Sequence, residues 1–100
     1  MPEFSTEISH SLGKEEALAR LKSFLDQVSE RYKDQVSELK GEWNDNVLNF
    51  MLTTYGFTVD GQLTVEEDAA RLHGKLPFAA AMFKGKIEGS IASELKKALA

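Results

Sequence analysis

Hydrophobic and polar residues alternate one by one along four stretches of this chain and recur every three or four residues along two others. Phe4, Thr6, Ile8, His10 and Leu12 alternate with Ser5, Glu7, Ser9 and Ser11, which predicts a strand with one covered face. From Lys14 to about Lys33 the period changes. Leu18, Leu21, Leu25, Val28 and Tyr32 lie three and four apart, widened by Ala17 and Phe24, and predict one amphipathic helix. Gly13 is its N-cap candidate, Glu15 and Glu16 favour the positive end of the helix dipole, and Leu12 can staple onto Ala17.

Leu39, Gly41 and Trp43 then alternate with Lys40, Glu42 and Asn44 as a second strand. The turn formers Asn44, Asp45 and Asn46 lead into Val47–Tyr55, rich in β-branched and aromatic residues, so a hairpin is expected. Phe57, Val59, Gly61, Leu63 and Val65 share one phase, opposite Thr58, Asp60, Gln62, Thr64 and Glu66. A tight turn at Asp60-Gly61 is the rival reading. One long strand is preferred, because the phase runs unbroken across the pair and a glycine relieves crowding on a twisted sheet. Ala70, Leu72, Gly74 and Leu76 make the last strand, and Pro77 opens a terminal helix carrying Ala79, Phe83, Ile87, Ile91, Leu95 and Leu99, with Met82 beside them. The expected fold is α+β, in the order β-α-β-β-β-β-α. Two long helices cover one face of a four- or five-stranded antiparallel sheet, and the opposite face is partly polar.

The 100 residues suffice for one core, so a single domain over 1–100 is expected. Sixteen acids against twelve lysines and arginines give a net charge of -4, with no basic face for phosphate contact, and nucleic acid is not an expected partner. Without cysteine there is no disulfide, thiolate nucleophile or thiolate metal site. No apolar run approaches the length of a membrane span, and Met1 to His10 do not read as a signal peptide, so a cytoplasmic protein is expected.

Several short patterns resemble the polyhydroxyalkanoic acid system family, small bacterial proteins whose genes tend to lie near those for polyester storage granules. They are His10-x-Leu12-Gly13 followed by Glu16-Ala17 and Arg20, then Trp43, then Gly61-x-Leu63-x-Val65 with acidic residues after it. Leu76-Pro77 and Phe83-Lys84-Gly85-Lys86-Ile87-Glu88 leading to Leu95 complete the series, which spans almost the whole chain. The resemblance implies an association with polyhydroxyalkanoate metabolism or granules, and no particular activity.

Candidate chemistry is sparse. His10 and His73 lie on strands without a compact third ligand, the serines are scattered without a nucleophile elbow, and Glu66, Glu67 and Asp68 fall at a turn. No catalytic, metal or cofactor residue is therefore nominated, and no cofactor is expected. Trp43 and Tyr55, from neighbouring strands, either line an apolar cavity or cap the core. Phe78 and Met82 border a ligand groove or belong to the core. Gly85 and Gly89, each costing up to ~1 kcal/mol relative to alanine, let the terminal helix approach the sheet, or let two subunits meet.

The first functional reading is a noncatalytic accessory, associated with granule proteins or a polyester surface and linked to polyhydroxyalkanoate storage. The alternative is a small-molecule binding domain for an acyl or other apolar ligand. An exposed apolar patch or paired sheet edge favours the first, and a cavity behind Trp43 and Tyr55 the second. A homodimer through an exposed sheet edge is also expected, in preference to one through the charged outward side of the terminal helix.

Overall fold

The computed structural model describes residues 3–54 and 56–100; Tyr55 and the side chain of Leu25 lie outside them. Five strands form one antiparallel sheet: β1 (Glu3–Ser9), β2 (Val36–Asn44), β3 (Val47–Thr54), β4 (Phe57–Val65) and β5 (Ala69–Lys75). Their spatial order is β1-β5-β4-β3-β2, so the chain enters at one edge, crosses by helix to the other, and returns strand by strand. The β-α-β-β-β-β-α order read from the sequence holds. The strand β4 runs through Asp60-Gly61 without a turn, with Gly61 opposite Phe50 on β3 and Gly74 on β5.

Those glycines explain how the sheet accepts its aromatics. Gly41, Phe50, Gly61, Gly74 and Phe4 form one row across all five strands. A methyl group on Gly61 would lie 2.8 Å from Phe50 Cε1, and one on Gly74 would lie 2.8 Å from the Asp60 carbonyl oxygen and closer still to the Phe4 ring. Each ring thus lies over a glycine of the next strand, filling volume that side chains on both strands could not share.

The helical cover differs from the expected pair of continuous helices. The first is broken into α1 (Lys14–Leu21) and α2 (Phe24–Arg31), with Ser23 at φ -96° and ψ 4° between them. The break lets α1 pack near β4 while α2 turns toward β2. The terminal segment begins as a 3-10 turn (Phe78–Phe83) before becoming α3 (Lys84–Leu99). Three residues per turn shift the phase there, so Ala80 is buried while Ala79 and Met82, which the four-residue spacing placed inward, are exposed.

Core side chains from the sheet (Phe4, Leu48, Val59, Leu63, Val65, Leu72) meet Ala17 and Leu21 of α1 and Ile87, Leu95 and Leu99 of α3. The other sheet face is partly polar: Arg71 reaches Glu7 (2.7 Å) and Glu66 (3.3 Å), His73 reaches Glu3 (2.7 Å), and Gln62 donates to Asn49 (2.9 Å). His10 joins strand to helix. Its Nδ1 accepts from the Leu12 N–H (3.2 Å), so its Nε2 carries the proton donated to the Glu66 carbonyl (3.1 Å). It is a structural clamp. Among the described residues no helix is long and apolar enough to cross a membrane.

Candidate functional site

Between the helix-covered sheet face and the helices α2 and α3 lies a partly open pocket of about 180 Å³. Its floor is Leu39 on β2, Phe50 and Leu52 on β3, Leu63 on β4 and Leu72 on β5. Its roof is Phe24 and Val28 on α2 with Ile87 and Ile91 on α3. The break at Ser23 positions this roof, because α2 leans over the β2 side of the sheet while α1 fills the opposite side with Ala17 and Leu21. Mostly apolar side chains thus line a space that no side chain fills and that is partly open to solvent.

Polar groups also line it. Thr54 Oγ1 donates to the Gln35 carbonyl (2.8 Å) and is thereby satisfied. Glu94, 5% exposed, ties the two roof helices together: its carboxylate accepts from Arg31 Nη1 (2.7 Å) and Tyr32 Oη (3.1 Å), and lies 3.5 Å from Lys97 Nζ. Burial, the largest influence, pushes the Glu94 carboxyl upward. Hydrogen bonds from Tyr32 and Arg31 and the charges of Arg31 and Lys97 outweigh it and hold the group below the usual glutamate value. Glu94 is therefore a charged latch with its lone pairs engaged. Lys86 and Ser90, one turn apart on α3, stand on the cavity wall.

The residues nominated from sequence are scattered about this site. Trp43 is half-buried against the core at the sheet edge and does not line the cavity. Tyr55 lies outside the described residues. Phe78 and Met82 are 76% and 83% exposed, so they belong neither to the core nor to the cavity wall. Gly85 and Gly89 face open space, with nothing within 4 Å of a methyl group built on either, and the close approach to the sheet is not made. Arg31, Tyr32 and Glu94 were missed. Their signal was present: Glu94 falls three residues after Ile91 and seven after Ile87, an acid in phase with an apolar stripe.

The family model described as "Putative polyhydroxyalkanoic acid system protein" matches residues 5–99. No curated protein matches the chain. Among solved structures, the chain is similar to the crystal structure of TTHA0849 from Thermus thermophilus, with a TM-score of 0.60 and 15% identity over 98% of this chain and 94% of that one. It is more distantly similar to the crystal structure of Ara h 8.0201, with a TM-score of 0.46 and 8% identity over 98% of this chain and 94% of that one. The first likeness shows a shared fold.

Proposed function

This chain belongs to the polyhydroxyalkanoic acid system family, and we propose that it serves there as a noncatalytic accessory that holds a short acyl group in the cavity beneath α2 and α3. The observation that carries this reading is the cavity itself. The pocket is partly open and its walls are mostly apolar, so an apolar occupant would displace water from apolar surface, which favours its binding. The volume is comparable to the roughly 150 Å³ cavity that binds benzene in another protein, which suits a short acyl chain. Lys86 and Ser90 offer donors to an acyl oxygen, while Glu94 is held by Arg31 and Tyr32 as part of the closure.

A second reading is favoured by one further observation. Phe78 and Met82 are large, apolar and exposed on the 3-10 turn, and they suit adsorption to a polyester surface. Both readings are forms of association, and both agree with a role beside storage granules.

Calorimetric titration with methyl esters of 3-hydroxyalkanoic acids of increasing chain length tests the cavity reading. Saturable one-to-one binding is expected for short chains, lost in Ile91→Phe, whose ring fills the cavity, with the fold retained by circular dichroism. Absence of saturable binding at millimolar ester, or equal binding by Ile91→Phe, would contradict it. Turnover of a hydroxyacyl thioester by the purified protein would replace the noncatalytic reading with an enzymatic one.

A further inference from the structure

The two edges of the sheet are treated differently. At β1, the outward N–H of Ser5 donates to Glu88 on α3 (3.3 Å), so a helix side chain occupies that edge. At β2, the other edge, the strand pairs only with β3. The hairpin closes at Asn44 opposite Val47, around Asp45 at φ 55°. A two-residue loop makes Asn44 and Val47 a hydrogen-bonded pair, and antiparallel alternation then assigns Glu42 and Lys40 to bonds with β3. The backbone groups of Leu39, Gly41 and Trp43 consequently point away from the sheet. Three successive outward-facing residues are centred on a glycine.

We propose that two copies of this chain pair their β2 strands antiparallel about Gly41, joining both sheets into one and setting the partner's Trp43 against Leu39 at the cavity margin. The two-fold register follows from the side chains. With Gly41 opposite itself, Leu39 faces the partner's Trp43 on the helix-covered side, and Lys40 faces the partner's Glu42 on the polar side, each contact occurring twice. A shift to centre on Lys40 would place Lys40 against itself and Glu38 against Glu42, like charges opposed throughout. Cross-strand pairs of opposite charge stabilise and those of like charge destabilise, so the glycine-centred register is selected. Lys40 already lies 3.0 Å from Glu38 within its own strand, while among the described residues Glu42 makes no ion pair within the chain. The alternation lets outward residues meet about Lys40 as well as about Gly41, so the side-chain charges decide between the two registers. Leu39 lines the cavity, so the partner's indole extends the wall beside it, and the acyl site becomes a property of the dimer. This last step rests on the cavity reading above; the pairing itself does not.

Sedimentation equilibrium of the full chain, with no ligand added, reads the pairing. A mass of twice 11.1 kDa at micromolar concentration is expected. Glu42→Lys should weaken the dimer about tenfold at low salt, and Lys40→Glu combined with Glu42→Lys should restore it, because the exchange recreates both pairs. The chain has no cysteine, so Gly41→Cys carries a sole thiol; it should form a disulfide-linked dimer on mild oxidation, while Lys40→Cys should not. A monomer at every concentration, or a dimer whose stability ignores the charge exchange, would overturn the pairing whatever the cavity binds. Equal ester affinity in wild type and in monomeric Glu42→Lys would overturn the contribution of Trp43 to the site while leaving the cavity reading intact.

Discussion

Replacing Glu94 with glutamine tests whether a buried charge latches the roof of the cavity. Arg31 Nη1 (2.7 Å) and Tyr32 Oη (3.1 Å) donate to different carboxylate oxygens; glutamine keeps one acceptor oxygen for Arg31, turns an amide NH2 toward the Tyr32 hydroxyl, which must then accept, and removes the charge. A charge-assisted hydrogen bond is roughly twice as strong as a neutral one, so the two bonds together lose about 1–2 kcal/mol. The Arg31 side chain is 49% exposed and screened by water, and glutamine escapes the desolvation of a buried carboxylate; both reduce the loss. A net destabilisation of about 1 kcal/mol at neutral pH is expected. The pH dependence has a definite sign. Because the folded Glu94 carboxyl is held below its ordinary value, the unfolded chain takes up the proton first as pH falls. The stabilisation is full at neutral pH, begins to fade near the unfolded value of about 4.3, and is lost as pH passes through the folded value. Urea unfolding followed by Trp43 fluorescence, from about pH 7 to about pH 3, should show the gap between wild type and Glu94→Gln closing in acid. Equal stabilities at neutral pH, or a gap constant into acid, would refute the latch.

Gly74→Ala should cost about 1–3 kcal/mol by overpacking, and more than Gly61→Ala, because the added methyl meets the Asp60 carbonyl oxygen as well as the Phe4 ring, whereas at Gly61 it meets the Phe50 ring alone; urea midpoints at constant slope read the order. Replacing Phe78 and Met82 together by serine should leave the melting temperature near that of wild type, since both side chains are exposed, while reducing adsorption to polyester particles several-fold. Unchanged adsorption would remove the surface reading.

The strands were legible because a period of two leaves no other placement for Phe57, Val59, Leu63 and Val65, and Gly61 continues their phase without a break. Their sheet order was not written in any single strand; it follows from three short connections returning the chain from β2 to β5. The break at Ser23 left no mark in the stripe, since Ala17, Leu21 and Phe24 keep helical spacing on both sides of it; its effect is that α1 packs near β4 and α2 near β2. The 3-10 turn was hidden for a related reason. Ala79, Phe83 and Ile87 satisfy a four-residue period, but Pro77, extended at ψ 153°, starts a tighter coil that buries Ala80 instead. A cavity was expected only behind Trp43 and Tyr55, and its actual place could not be read, because it is defined by what Val28, Leu39, Leu72 and Ile91 fail to fill once the sheet meets α2 and α3. Glu94 was the exception: an acid on an apolar helical stripe marks either a partner or a cost, and here the partners are Arg31 and Tyr32.

The central claim is that a short acyl group enters beneath α2 and α3, and methyl-resolved NMR of the protein titrated with methyl 3-hydroxybutyrate tests it most directly. Saturable shifts should appear at Val28, Leu39, Leu72, Ile87 and Ile91, which surround the cavity, while Met82 on the exposed turn stays unchanged. Shifts confined to Met82 and its neighbours, or a cavity whose methyl signals do not respond at saturating ester, would contradict the account.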